Sequence, residues 1–273
     1  MKKNTLLIVS LIIAGSMMSL PQASASTIDS AVKNLNTSLN QFVSAKDDAS
    51  IDHLSPEEDL AFRKKVVSDA LTLSLKEIED IRNKIGTLKL DDKSPEGIVS
   101  KQILGDLGEF EAHYRDVRSS LDEENDVEKI KDVARSTKEY RDDAYSPVML
   151  KALNLILTFQ TDKLVKSADI RYTKIGSDIS KLEKANLIKD GAFDKQMGEA
   201  DKLISGAGSM VEESKDIVLD RNKDKNIDNI YDAPKDEKIV SPRELCEAAL
   251  VNLKSSYGIF IDISSAIKKA LKL

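Results

Sequence analysis

SPVMLKALNLILTFQTDKLVKSADIRYTKIGSDISKLEK, residues 146–184, is the stretch whose reading decides the fold. Its apolar side chains fall at Val148, Leu153, Ile156, Leu157, Leu164, Val165, Ala168, Tyr172, Ile175, Ile179 and Leu182. Steps of three and four residues put them on one face of a helix. Within it, Leu150 to Leu157 is apolar around nearly the whole circumference, the pattern of a helix surrounded by others. At a rise of about 1.5 Å per residue the stretch spans roughly 55–60 Å. The spacing therefore predicts an all-α, elongated bundle.

Working outward, four helix starts carry the same punctuation: Ser55-Pro56, Ser94-Pro95, Ser146-Pro147 and Ser241-Pro242. A serine hydroxyl accepts an orphan backbone N–H at a helix start, and proline at the first helical position forfeits an N–H that lacks an intrahelical partner. Ser55 with Glu58, and Ser241 with Glu244, form capping boxes. Between these starts the periodicity predicts helices over Thr27–Ala45, Pro56 to about Ile85, Pro95 to about Leu121, Glu123 to Arg141, and Pro242 to about Lys272. Ile98 and Leu107 stand on the apolar stripe of the third. After a turn at Lys189-Asp190-Gly191, the residues Phe193, Met197, Ala200, Ile204, Ala207, Val211, Ser214 and Val218 recur in alternating steps of four and three, a coiled-coil-like seam. Six or seven helices result, and Gly198, Gly206 and Gly208 within that segment either admit a close neighbour or are merely tolerated.

The N-terminus reads as a leader. Lys2 and Lys3 precede an apolar run from Leu6 to Leu20, and Ala23-Ser24-Ala25 is a small-x-small processing site. Residues 1–25 are expected to be a cleaved signal peptide, leaving 26–273 as a single helical-bundle domain in the periplasm, at the cell surface or outside the cell. No apolar stretch outside the leader is long enough to span a membrane.

Acidic and basic residues number 47 and 41, a net charge of −6, with both signs mixed along the chain. A nucleic-acid partner calls for a basic surplus on one face, so none is expected. The lone cysteine, Cys246, sits in the last helical pattern beside Leu245 and Ala249. It reads as a small buried residue or as a thiol free to join two chains, and it forms no internal disulfide.

The best candidate for chemistry is Asp220, Asn222, Asp224, Asn226 and Asp228. Oxygen side chains at every second position, with Ile227 eighth, are what a calcium loop uses to surround a hard cation. Lys225 stands where that loop wants glycine, and Tyr231 where it wants a bidentate acid, so a solvated loop of Asx turns is the other reading. No further cofactor is expected. His53 and His113 lack the neighbours a zinc site needs. The pairs Glu57-Glu58 and Glu123-Glu124 read as acids in the first turn of their helices, where the helix dipole favours them. No glycine-rich phosphate loop, nucleophile elbow or metalloprotease helix appears, so the chain is expected not to be an enzyme.

The C-terminal helix, Glu244-Leu245-Cys246-Glu247-Ala248-Ala249-Leu250 through Tyr257 to Ala266-Ile267-Lys268-Lys269-Ala270-Leu271, resembles the all-helical exported surface proteins of Borrelia-type spirochaetes that bind host factors. Those proteins usually carry a lipid-bearing cysteine at the processing site, where this chain has Ala25-Ser26. The resemblance implies capture of a host protein; the lack of reactive-site patterns on long solvated helices points separately to binding of a host or envelope factor. The expectation is a non-enzymatic chain that binds another macromolecule through solvated helical faces, as a monomer or a homodimer. The alternative is a structural envelope protein or a subunit of a helical pore-forming toxin.

Overall fold

The computed structural model describes residues 22–47, 55–220 and 240–271, and these fold as an all-α protein. The helices are α1 (Gln22–Asp47), α2 (Pro56–Leu88), α3 (Pro95–Glu123), α4 (Val127–Tyr140), α5 (Ser146–Lys184), α6 (Asp194–Val218) and α7 (Pro242–Ala270), with one π turn (Arg141–Tyr145) joining α4 to α5. Apart from residues 22–25, the expected leader lies outside the described residues. No helix among the described residues is long and apolar enough to cross a membrane. Within the described residues, contacts gather into two compact units. One holds the described residues up to Thr87 with Lys101–Met149, and the other holds Leu88–Ser100 with the described residues from Leu150 onward.

Three of the four Ser-Pro pairs open helices as expected. The Ser55 hydroxyl accepts from Glu58 N at 3.2 Å while Ser55 N donates to Glu58 Oε2 at 3.0 Å. Ser241 and Glu244 repeat this box. Ser94 Oγ accepts from Gly97 N at 3.1 Å, and a side chain at Gly97 would collide with the Asp91 carbonyl, so only glycine fits this entry. The fourth pair is a correction. Ser146 has helical φ and ψ, its N–H bonds back to Arg141 O, and the chain passes from α4 into α5 without a break. Pro147 brings no N–H and its ring crowds the carbonyl one turn earlier. A π turn, whose bonds reach back five residues, widens the helix where that crowding falls. The helix ends are marked differently: Asn186 (φ 56°) closes α5, with Asn186 N on Glu183 O at 2.8 Å and Leu187 N on Leu182 O at 2.9 Å, a Schellman motif with asparagine in the left-handed position. Gly191 (φ 66°) sits in the turn read from the sequence.

In the first unit, Ala31, Leu35 and Leu39 of α1 pack on Leu73 of α2, flanked by Ile28, Val32, Val66 and Ala70. The Arg63 guanidinium lies 5.1 Å from the Phe42 ring centre. Lys64 Nζ donates to Asp122 O at 3.0 Å, and Arg82, near the other end of α2, pairs with Glu111, so α2 and α3 run antiparallel.

The second unit is an up-down-up arrangement of α5, α6 and α7. Ala168, Ala200, Ala207 and Ala249 are fully buried among Ile204, Val211, Leu253 and Phe260, and small residues at these positions let the helices approach. The α6 seam is buried from Ala200 to Val218 as its spacing predicts. Of its glycines, Gly206 faces a close neighbour, since a Cβ there would stand 3.2 Å from Asn252 Nδ2, whereas Gly198 faces open space. Ile179, Phe193 and Ile263 close one end. Two stripe residues fall outside the core: Ile98 and Leu164 are about half exposed.

Candidate functional site

The outward faces of α2 and α3 border a cleft of ≈ 440 Å³ in the first unit. Thr72, Leu75, Lys76, Glu79, Arg82 and Asn83 recur on α2 at helical spacing, and Glu111, Arg115 and Arg118 do so on α3. Lys76, Arg82, Arg115 and Arg118 set four positive charges against the two carboxylates of Glu79 and Glu111. Arg115 donates to Glu111 Oε1 through Nε at 3.1 Å and Nη2 at 2.7 Å, and Arg82 Nη1 bonds Glu111 Oε2. Lys76 Nζ lies 2.7 Å from Glu79 Oε2. The Arg115 hydrogen bonds hold the Glu111 carboxyl below the usual glutamate range, against burial and with help from Arg82. Arg118 is exposed and makes no hydrogen bond or ion pair among the described residues. Gly108 leaves room for Arg82 to lie across α3, since a Cβ on that glycine would come within 3.2 Å of Arg82 Nη2.

The inner faces of the same two helices meet the π turn in an aromatic cluster. Phe110 and Tyr114 pack edge-on against Tyr140 and Tyr145, with ring centres 5.5 to 5.9 Å apart, and His113 lies over Tyr140 at 3.8 Å. Arg141 donates to Ser74 Oγ at 2.6 Å and to Glu77 Oε2 at 3.0 Å, and Tyr145 Oη donates to the same Glu77 oxygen at 3.0 Å. Burial works against the Arg141 charge, but Glu77 and the two phenols more than offset it, so its pKa is raised. Burial pushes the Tyr114 and Tyr145 phenols well above their ordinary value. This cluster clamps α2, α3 and the π turn together, and so fixes the two walls of the cleft.

The second unit buries its own polar network. Thr158 Oγ1 and Ser214 Oγ are 2.7 Å apart, and Cys246 Sγ lies 3.6 Å from Ser214 Oγ and 3.8 Å from Thr158 Oγ1. Cys246 is fully buried, so the thiol is a core group touching hydroxyls and reaches no second chain in this conformation. Nearby, Lys215 Nζ bonds Asp162 Oδ1 at 2.9 Å and Glu212 Oε1 at 2.6 Å, and Lys166 Nζ bonds Asp162 Oδ2 at 2.7 Å. Burial raises the Asp162 pKa, but the two lysines outweigh it and leave it lowered. Burial likewise opposes the Lys215 charge, and Asp162 with Glu212 leaves its pKa raised.

Of the proposed calcium ligands, Asp220 sits in the turn after α6 with φ 53°, while Asn222, Asp224, Asn226 and Asp228 lie outside the described residues. Among the described residues no group of three or more His, Cys, Asp or Glu is placed to hold a metal ion. His113 belongs to the aromatic cluster, and His53 lies outside the described residues. Glu57 and Glu58 stand in the first turn of α2, as expected. Glu123 and Glu124 do not open a helix: Glu123 ends α3, and α4 begins after Asp126, whose carboxylate accepts from Glu128 N at 2.8 Å. Glu124 instead accepts from Asp126 N at 3.0 Å and Asn125 N at 2.9 Å, which hold its carboxyl low. The cleft itself went unread in the sequence. Its local signals are the i,i+4 spacing of Glu111 and Arg115, with Arg118 a turn on, and the i,i+3 pair of Lys76 and Glu79; that Arg82 joins Glu111 depends on how two helices align.

No protein-family model, curated protein or solved structure matches the chain.

Proposed function

We propose that this chain is an exported, non-enzymatic protein that binds another macromolecule, a host or envelope protein, through its helical surface. The observation that carries this reading is the α2–α3 cleft. There, cationic side chains, one of them unpaired among the described residues, face solvent from walls braced by an aromatic cluster and a half-buried Arg141–Glu77 pair. Preorganised walls reduce the ordering cost of binding. The leader-like N-terminus and the likeness to exported helical surface proteins support the address.

The chain from Ser26 onward, immobilised and exposed to host and envelope extracts, is expected to retain a protein that, once purified, binds it saturably. Fractionation of cells expressing the full chain is expected to place a product beginning at Ser26 beyond the inner membrane. Release of dye from liposomes by the chain, alone or oligomerised, in place of saturable protein binding would favour the toxin or envelope-component reading.

A further inference from the structure

The geometry points to the α2–α3 cleft as a seat for an acidic segment of a partner protein, with a carboxylate against Arg118 and a second in competition with Glu111 for Arg82 and Arg115. This rests on the reading of the chain as a protein-binding protein and names the chemistry of its partner.

The argument starts from charge. Four cations and two carboxylates line the cleft, a local surplus of +2 on a chain of net charge −6. A guanidinium presents its N–H groups in a fork that matches a carboxylate. Arg118 offers that fork with no acceptor among the described residues. Arg82 and Arg115 already demonstrate the fit, since both hold the single carboxylate of Glu111. An arriving glutamate or aspartate meets the same donors and shares them with Glu111.

The lining also decides between kinds of anion. Nucleic acids and densely sulfated glycans bring a charge at every unit and bind by matching it with uniform rows of cations. Here Glu79 and Glu111 interrupt the row, and the acidic chain repels a polyanion at long range. A peptide with spaced acids avoids both carboxylates. Thr72 and Asn83 can bond its backbone, and Leu75 gives an apolar contact.

The test titrates the whole chain with a fluorescent peptide of alternating Glu and Gly, its Gln-Gly counterpart, and a heparin-derived oligosaccharide. The Glu peptide is expected to bind saturably and the Gln peptide not. Salt should weaken the binding, as for charges at a solvated rim. Arg118→Glu, at an exposed site, should weaken it about tenfold, while Arg118→Lys costs about threefold or less. Glu111→Gln should tighten it a few-fold, because it removes the internal competitor for Arg82 and Arg115. Circular dichroism identical to that of the parent checks that each variant is folded. Absence of saturable binding of the Glu peptide, indifference to Arg118→Glu, weakening by Glu111→Gln, or tighter binding of the oligosaccharide would each overturn the assignment. A partner captured from extract and bound equally by Arg118→Glu sinks the cleft and leaves the broader reading standing. Failure to capture any partner sinks that reading while the peptide titration still reports on the cleft.

Discussion

Tyr114 and Tyr145 are both fully buried in the aromatic cluster, yet their hydroxyls are in opposite situations. Tyr145 Oη donates to Glu77, which also carries Arg141, whereas Tyr114 Oη makes no hydrogen bond of ordinary geometry among the described residues and has only a weak approach to Ser74, whose hydroxyl is engaged by Arg141. A buried hydroxyl without a partner loses its hydration for no return, and one bonded to a carboxylate is among the stronger kinds of hydrogen bond. Tyr114→Phe keeps the ring and its edge-on contacts, so it is expected to be neutral or to stabilise by up to about 1 kcal/mol. Tyr145→Phe removes a bond to a half-buried carboxylate that must still balance Arg141, and should cost about 1.5 kcal/mol. Urea midpoints of the two variants, measured against the parent, check the contrast. If Tyr114→Phe were the more destabilising, the assignment of the two hydroxyls would be reversed.

At the level of the helix, Ser-Pro means two things in this chain. Ser241 caps α7 through Glu244 N at 3.2 Å, and Ser55 caps α2 in the same way. Ser146 is exposed, helical and caps nothing. Ser55→Ala and Ser241→Ala should therefore each cost about 1 kcal/mol, and Ser146→Ala should be neutral or slightly favourable. Thermal unfolding of the three variants separates the cases. An interior proline ordinarily costs about 3 kcal/mol relative to alanine, but the π turn already opens the helix beside Pro147. Pro147→Ala is accordingly expected to stabilise by less than about 1 kcal/mol, and a gain near 3 would show that the turn does not relieve the ring. The limit of what the sequence makes legible lies here. Helix existence follows from apolar spacing, which burial rewards directly, so the α6 seam reads correctly from Ala200 to Val218. Whether a Ser-Pro pair begins a helix or lies inside one depends on what anchors the preceding turn. Arg141 and Tyr145 are tied to Glu77, more than sixty residues earlier, and nothing local records that tie.

For the molecule as a whole, the same limit applies to the site and sets up its response to pH. The cleft is absent from any linear reading because Arg82 and Glu111 meet only once α2 and α3 lie antiparallel, whereas the oxygen side chains at Asp220, Asn222, Asp224, Asn226 and Asp228 are legible because their spacing is local. The ionisable groups with displaced pKa values divide by sign. Glu58, Glu111, Glu124 and Asp162 are all held below their ordinary values in the folded chain. Each therefore contributes stability that is present above the ordinary carboxylate range, about 4, and is lost as the pH falls through its lowered folded value. Lys138 and Lys215 are raised above 10.5, and Tyr114 and Tyr145 above 10.0. Their contribution is complete below those ordinary values and is lost as the pH rises through the higher folded ones. The melting temperature should be level from about pH 6 to 9 and fall on both sides. Asp162→Asn discriminates within the acid limb, because it removes the one carboxylate shared by Lys166 and Lys215. The variant should melt well below the parent at neutral pH, and the gap should close as the pH falls below 3.8, where the parent's own aspartate begins to protonate and lose the same two partners. A gap that stays constant down to the lowest pH would mean that Asp162 stabilises by packing rather than by its charge.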